Sequence, residues 1–187
     1  KTTDIQYKYP FGWQELFGLA HRGDFDLTKH SDASGNKLDY LDTETNKRYI
    51  PHIIEPTFGL DRSILVSLLA AYEEEDVNGE IRVVMKFPYK IAPVKVAVFP
   101  LLKNKPDLVA KAKEVYNMLK DSFKTEFDDN GNIGKRYRRQ DEIGTPFCVT
   151  VDFESLENNE VTVRDRDTMK QERIKISELE NFFRAKI

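Results

Sequence analysis

The chain has 187 residues, with 29 basic and 32 acidic side chains for a formal charge of −3. A 40% hydrophobic share is enough for a packed core and excludes wholesale disorder, and no apolar run approaches the ~18 residues of a membrane span. One cysteine, Cys148, excludes an internal disulfide and any cysteine-based zinc site, and it fits a reducing compartment.

Charge is uneven along the chain. Residues 1–91 hold 11 basic and 15 acidic side chains, and residues 92–187 hold 18 and 17. Pro88 and Pro93 disfavour a helix through the join, which places a domain boundary at about Ala92. The chain starts at Lys1 without Met and runs directly into a strand pattern, which is the signature expected of a piece of a longer polypeptide.

From Phe11 to Ala20 the pattern has period two, predicting a strand with Phe11, Trp13, Glu15, Phe17 and Leu19 on one face. Residues 22–48 are polar and rich in Asp, Ser, Gly, Asn and Thr, predicting a long loop with room for short helical turns. Tyr49 to Glu55 reads as a strand, punctuated by Pro56 and Gly59. From Leu60, the apolar residues Ile64, Leu65, Leu68, Leu69 and Tyr72 recur at helical spacing, predicting an amphipathic helix with one buried face.

Val94 to Leu101 is the near-continuous apolar run of a strand covered on both faces. Pro106 opens a helix lined by Leu108, Ala112, Val115, Tyr116 and Leu119. Thr125 to Phe127 is a short strand and Asp128 to Gly131 a turn. Ile133 to Ile143 is a helix closed by Gly144 and Pro146. Phe147 to Phe153 and Glu160 to Asp165 alternate as strands joined by a turn at Glu157 to Asn159. Ser177 reads as the N-cap of a last helix. Alternating elements predict an α/β domain.

Several residues stand out chemically. Glu15 lies in an apolar strand row, and a buried carboxylate needs a partner, a metal or solvent. The plain structural alternative is a carboxylate at a cleft edge paired with an arginine. Arg62 falls in the first turn of its helix, where a cation costs on the order of 0.3–1 kcal/mol. Its planar guanidinium suits stacking on a purine and pairing with phosphates, and the plain alternative is a surface pair with Asp61 or Glu55. Glu55 and Thr57 share a strand face and together could hold an ammonium group, with Gly59 leaving the backbone open to a ligand. His21, His30 and His52 lack metal-ligand spacing. Cys148 reads as an inert core thiol. Lys135, Arg136, Tyr137, Arg138 and Arg139 form the densest basic segment, suited to phosphate contacts and base stacking on RNA. The alternative is a helix whose cations pair with Asp128, Asp129, Asp141 and Glu142. Arg164 lies in an alternating-sign run that pairs with itself in the plain reading.

These segments together resemble the C-terminal part of the dimeric, class II glycyl-tRNA synthetase family. The resemblance rests on Phe11 to Leu16, Asp24 to Leu27, Tyr49 to Pro51, Ile54 to Arg62, Ala92 to Lys95, Ile133 to Pro146 and Val161 to Met169. It implies a mixed α/β chain (α+β overall). Residues 1–91 would be part of an antiparallel class II catalytic sheet carrying the third signature motif and its helix. Residues 92–187 would be a mixed-sheet anticodon-binding domain. It implies ATP binding by Glu15, Leu16, Gly59, Leu60, Asp61 and Arg62, with Arg62 against the adenine and phosphates and Glu15 reaching the Mg2+ that accompanies ATP. It implies a glycine pocket from Glu55, Pro56, Thr57, Phe58 and Gly59, with Thr57 where the family usually has Ser. It implies tRNA(Gly) as partner, with Lys135, Arg136, Arg138, Arg139 and Arg164 as anticodon contacts. It further implies a homodimeric enzyme of the cytoplasm with no membrane association and no tightly bound cofactor. No general acid or base is assigned. The first and second class II motifs would precede Lys1, so the chain alone is not expected to activate glycine. The rival expectation is a non-catalytic nucleic-acid-binding accessory protein on the same scaffold.

Overall fold

The computed structural model describes residues 1–187. Its contacts divide the chain into two units, Lys1–Ser67 and Leu68–Ile187.

In the first unit, β1 (Thr2–Tyr9) and β2 (Gly12–Gly23) form a hairpin, and β5 (Ile53–Phe58) pairs antiparallel with the far side of β2. The polar stretch expected as loop instead contains α1 (Phe25–Ser34) and a small hairpin of β3 (Tyr40–Asp42) and β4 (Lys47–Tyr49). Helix α1 buries no side chain, so it leaves no apolar stripe for periodicity to find. The strand expected at Tyr49 to Glu55 is two elements: Tyr49 ends β4, and β5 starts at Ile53.

Register corrects a second expectation. Ile5 pairs with Phe17 but Gln6 pairs with Glu15, so Leu16 is the extra residue of a bulge. A bulge shifts the phase of the alternation. Glu15 therefore lies on the face opposite Phe17, not in its row. Helix α2 (Leu60–Ala71) begins where predicted, but its apolar face is open rather than buried: Ile64, Leu65 and Leu68 are 50%, 38% and 44% exposed.

Helix α2 runs into β6 (Tyr72–Val77), which forms a hairpin with β7 (Glu80–Met85). The acidic run Glu73 to Asp76, read as the end of a helix, is thus an antiparallel strand. The main sheet of the second unit has the order β12-β11-β10-β8-β9, built from β8 (Val96–Pro100), β9 (Thr125–Phe127), β10 (Phe147–Val151), β11 (Glu160–Asp165) and β12 (Gln171–Lys175). Strands β8, β9 and β10 are parallel, whereas β11 and β12 extend the sheet antiparallel. Every residue of β8 and β10 is buried, as expected of strands covered on both faces.

Helix α3 (Pro106–Leu119) covers one face through Leu108, Ala112, Val115 and Leu119. The larger of these side chains each contribute roughly 1.5–3 kcal/mol of burial. The last helix, α6 (Leu179–Lys186), adds Leu179 and Phe183 to the same core. Ser177 does not cap it. It sits inside a 3-10 turn, Ile176–Glu178, and the cap position is Glu178. Helix α4 (Ile133–Ile143) covers the other face, packing Ile133 and Tyr137 on Ala97, Phe99 and Cys148. A short helix, α5 (Phe153–Asn158), replaces the expected turn, and its start is fixed by a capping box of Asp152 and Ser155. No helix is long and apolar enough to cross a membrane.

The spatial division falls earlier than the proline-marked join at Ala92 because the intervening segment is fastened to the second unit. Arg166 donates to the carbonyls of Phe87 and Gly144 at 2.8 and 2.9 Å. Gly144 closes α4 at φ 84°, and a Cβ there would stand 2.6 Å from Phe87 Cδ2 and 2.7 Å from the Met85 carbonyl oxygen. Gly144→Ala is therefore expected to destabilise the second unit by about 3 kcal/mol, through left-handed strain and overpacking together. Denaturant unfolding followed by tyrosine fluorescence checks this, and an unchanged midpoint would contradict it.

Candidate functional site

In an antiparallel sheet, directly opposed residues share a face. Asp4, Gly18 and Thr57 are opposed across β1, β2 and β5, Thr2, Ala20 and Glu55 form the next row, and Gln6 opposes Glu15. One face of the first unit thus carries Glu15, Glu55 and Thr57 around small residues. A Cβ on Gly18 would lie 3.6 Å from Glu15 Oε1 and 4.0 Å from both Asp4 Oδ1 and Thr57 Cβ. The opposite face is apolar, with the rings of Phe17 and Phe58 in edge contact at 4.8 Å.

Glu15 has the arginine partner that the plain reading asked for, and that partner is Arg62. Arg62 Nη1 lies 3.0 Å from Glu15 Oε1, with the two side chains 50% and 43% exposed. Neither Asp61 nor Glu55 takes that role. A cleft of about 350 Å³ beside the pair is lined by Tyr9, Phe11, Gln14, Glu15, Arg62 and Leu65. Gly59 acts differently from expectation. Its missing side chain makes room for Arg62, whose Cδ would stand 3.3 Å from a Cβ there. Leu60 and Asp61 are exposed at the start of α2, as are Pro56 and Phe58 in β5, and Leu16 is half-buried at the bulge.

Glu55 is gripped by Arg22, whose Nη1 lies 3.1 Å from Oε2. Thr57 Oγ1 donates to Glu55 Oε1 at 3.4 Å. Arg22 also forks onto Asp26 in the first turn of α1, and that carboxylate holds its pKa well above the ordinary guanidinium value. Sequence reading missed Arg22. Arg22 lies at the end of β2 and outside α1, so no helical spacing links it to Asp26 in the sequence. His21 Nε2 and His52 Nδ1 approach to 3.1 Å on the exposed sheet end. No group of three or more His, Cys, Asp or Glu could hold a metal ion through protein ligands alone.

The basic segment is placed differently from expectation. Lys135 is exposed. Arg136 is buried, 1% exposed. Its guanidinium donates to the carbonyl of Pro100 and to those of Asp129, Asn130 and Gly131 at 3.0, 3.4 and 2.8 Å. Arg164 is buried too and binds both oxygens of Asp141, at 2.8 and 3.1 Å, with its guanidinium over the Tyr137 ring. Arg136 and Arg164 are therefore withdrawn as direct anticodon contacts, because no ligand can reach them. Arg139 remains at the surface, paired to Asp128 Oδ2 and the Asn130 carbonyl. Arg138 reaches Glu80 at 3.5 Å.

Asp141 also accepts from Arg82 Nε at 2.8 Å. Arg82 is buried and extends the network to Glu75 and to the Arg166 carbonyl. Lys86, then Arg82, hold Glu75 below the ordinary carboxylate range. Burial pushes the Cys148 thiol far above its ordinary value, so it carries no thiolate chemistry.

Residues 95–186 match the family model described as "Anticodon binding domain". The whole chain is 54% identical to a curated "Glycine--tRNA ligase" of Clostridium kluyveri over 187 residues, which is 40% of that relative. It is 54% identical over the same span to the one from Clostridium acetobutylicum. Over 186 residues it is 56% identical to the one from Acetivibrio thermocellus, again 40% of that protein. The chain thus spans about 40% of the length of the curated relatives it matches.

Asp141→Ala should cost about 3–5 kcal/mol, because it leaves Arg82 and Arg164 buried without their shared counter-charge. Calorimetry that finds less than about 1 kcal/mol would show the network to be solvated. The network also sets acid sensitivity. Glu75 has a folded-state pKa below its unfolded one, so its contribution is complete at neutral pH and fades as pH falls through the folded value. Glu75→Gln should flatten the stability profile below about pH 4.5 and leave its shape above pH 6 unchanged.

Proposed function

We propose that the chain supplies part of the ATP and glycine site and the tRNA-binding domain of a glycine–tRNA ligase, a reading supported by the match of residues 95–186 to the anticodon-binding family model and by 54% identity of the whole chain to a stretch of such ligases. On this reading, residues 1–91 belong to the catalytic domain and 92–187 to the anticodon-binding domain, and the enzyme works as a homodimer on tRNA(Gly).

The observation that carries the reading is the shared sheet face. Two carboxylates, each held by one arginine, flank a floor of glycine and alanine. A small zwitterion with no side chain fits such a floor. Its ammonium group would take the Glu55 carboxylate and the Thr57 hydroxyl, displacing Arg22. Arg62 would leave Glu15 to meet the phosphates and stack on the purine. Freed of Arg62, Glu15 would meet the Mg2+ that accompanies ATP. Mg2+ typically keeps waters and substrate phosphates as most of its ligands, so one carboxylate is a sufficient protein contribution.

The reaction has two steps. The glycine carboxylate attacks the α-phosphorus of ATP, releasing pyrophosphate and forming glycyl-adenylate. A terminal ribose hydroxyl of the tRNA then takes the glycyl group, releasing AMP. These residues contribute positioning and charge stabilisation rather than proton transfer.

The test is a chimera in which this chain replaces the matching residues of the Clostridium kluyveri ligase. The folded chimera should catalyse glycine-dependent exchange of pyrophosphate into ATP. Arg62→Ala within it should lower kcat/KM for that exchange by about 100-fold or more, with tRNA affinity kept within about twofold. A folded chimera without exchange, or exchange indifferent to Arg62, would overturn the reading.

A further inference from the structure

Arg136 sits in a basic segment yet touches no solvent, and its contacts are unusual for a buried arginine. Asp141 stands one helical turn and a residue further along α4, but Arg136 does not use it. The Arg136 guanidinium is satisfied by main-chain carbonyls from two places: Pro100, the last residue of β8, and Asp129, Asn130 and Gly131, consecutive residues after β9. A planar fork with five donors is the one side chain that can hold several carbonyls in a fixed array. The loop it grips has few constraints of its own. Within 128–132 there are the Asp128 amide donating to the Val98 carbonyl at 3.2 Å, the Asp128 side chain accepting from the Asn130 amide at 2.9 Å and the Asn132 cap of α4, so residues 129–131 themselves are held mainly by Arg136 and Arg139.

That same loop anchors a half-exposed cation. Arg139 binds Asp128 Oδ2 at 2.5 and 3.0 Å and the Asn130 carbonyl at 2.7 Å. Arg136 holds the loop from inside, and Arg139 leans on it from outside. Exposed Lys135 begins the same helical turn as Arg136.

We infer that Arg136 is a positioning residue for RNA binding: it fixes the 128–132 loop, which in turn aims Arg139 at the phosphates of the tRNA. This rests on the tRNA-binding reading above. A preorganised cation binds without ordering a loop first, and that ordering typically costs on the order of a tenfold step in affinity.

The salt dependence of binding separates this role from direct contact, because each phosphate contact contributes about 0.7–0.9 to the slope of log affinity against log salt. The measurement is affinity of the protein for a glycine-accepting tRNA transcript across a salt series, with amide hydrogen exchange on the free protein. Arg136→Lys keeps the charge but cannot span the carbonyls. It should weaken binding about tenfold at every salt concentration, leave the slope unchanged, and speed exchange at 129–132 while β8 and β10 stay protected. Arg139→Ala should instead lower the slope by nearly one unit. Gly131→Ala serves if Arg136 variants fold poorly. Its φ of 70° strains an alanine, yet a Cβ there meets nothing closer than 3.9 Å. It should reproduce the Arg136→Lys signature with the buried charge intact.

A reduced slope in Arg136→Lys would make Arg136 a direct contact and overturn the inference. Unchanged affinity in both Arg136→Lys and Gly131→Ala would overturn it as well, leaving the tRNA-binding reading in place. No salt-dependent binding by the unaltered protein would overturn both.

Discussion

A single carboxylate organises the second unit. Asp141 is buried on α4, and its two oxygens serve Arg82 from β7 and Arg164 from β11. Charge buried this deeply is tolerated only when geometry is good and the remaining donors are satisfied. Both conditions are met here: Arg82 also uses Glu75 and the Arg166 carbonyl, and Arg164 lies over the Tyr137 ring. Three elements distant in sequence are thereby held in one arrangement. The docking of the β6–β7 hairpin onto α4 runs through it.

The first unit uses ion pairs in the opposite way. Arg62 with Glu15 and Arg22 with Glu55 are half exposed, and pairs of that kind contribute little to stability. Such weak pairing suits the binding face proposed above, since a ligand would have to replace one partner without a large desolvation cost. The buried pairs of the second unit fix structure, whereas on the proposed reading the open pairs of the first would be exchanged for substrate charges.

Much of the second unit was legible in the sequence because its strands and helices obey simple periods. Helix α4 was bounded correctly at Ile133 and Ile143, its end signalled by Gly144, whereas the Asn132 cap at its start was not read from the sequence. Its orientation was not, because its buried face is Arg136, Gln140 and Asp141, and polarity normally signals solvent. Only the partners, Arg82 and the loop carbonyls, reveal that these side chains face inward, and they are remote in sequence. In the first unit, Glu15 and Arg62 were recognised individually, and their pairing was anticipated only as a type. The bulge at Leu16 leaves no composition signal, so the face assignment of Glu15 required the register. The β6–β7 hairpin was lost because four consecutive acids suppress strand propensity, a preference that pairing with Arg82 and Lys86 overrides.

The lone cysteine adds a practical property. Cys148 lies in the middle of the central strand β10, 1% exposed, between Ala97 and Phe99 on one side and α4 on the other. With its pKa raised by burial, the thiol is silent while the strand is covered. A thiol-reactive dye can reach it only when the sheet of the second unit opens, and no second sulfhydryl competes for label. The chain thus carries a natural clock for the opening of that unit, readable without introducing any probe.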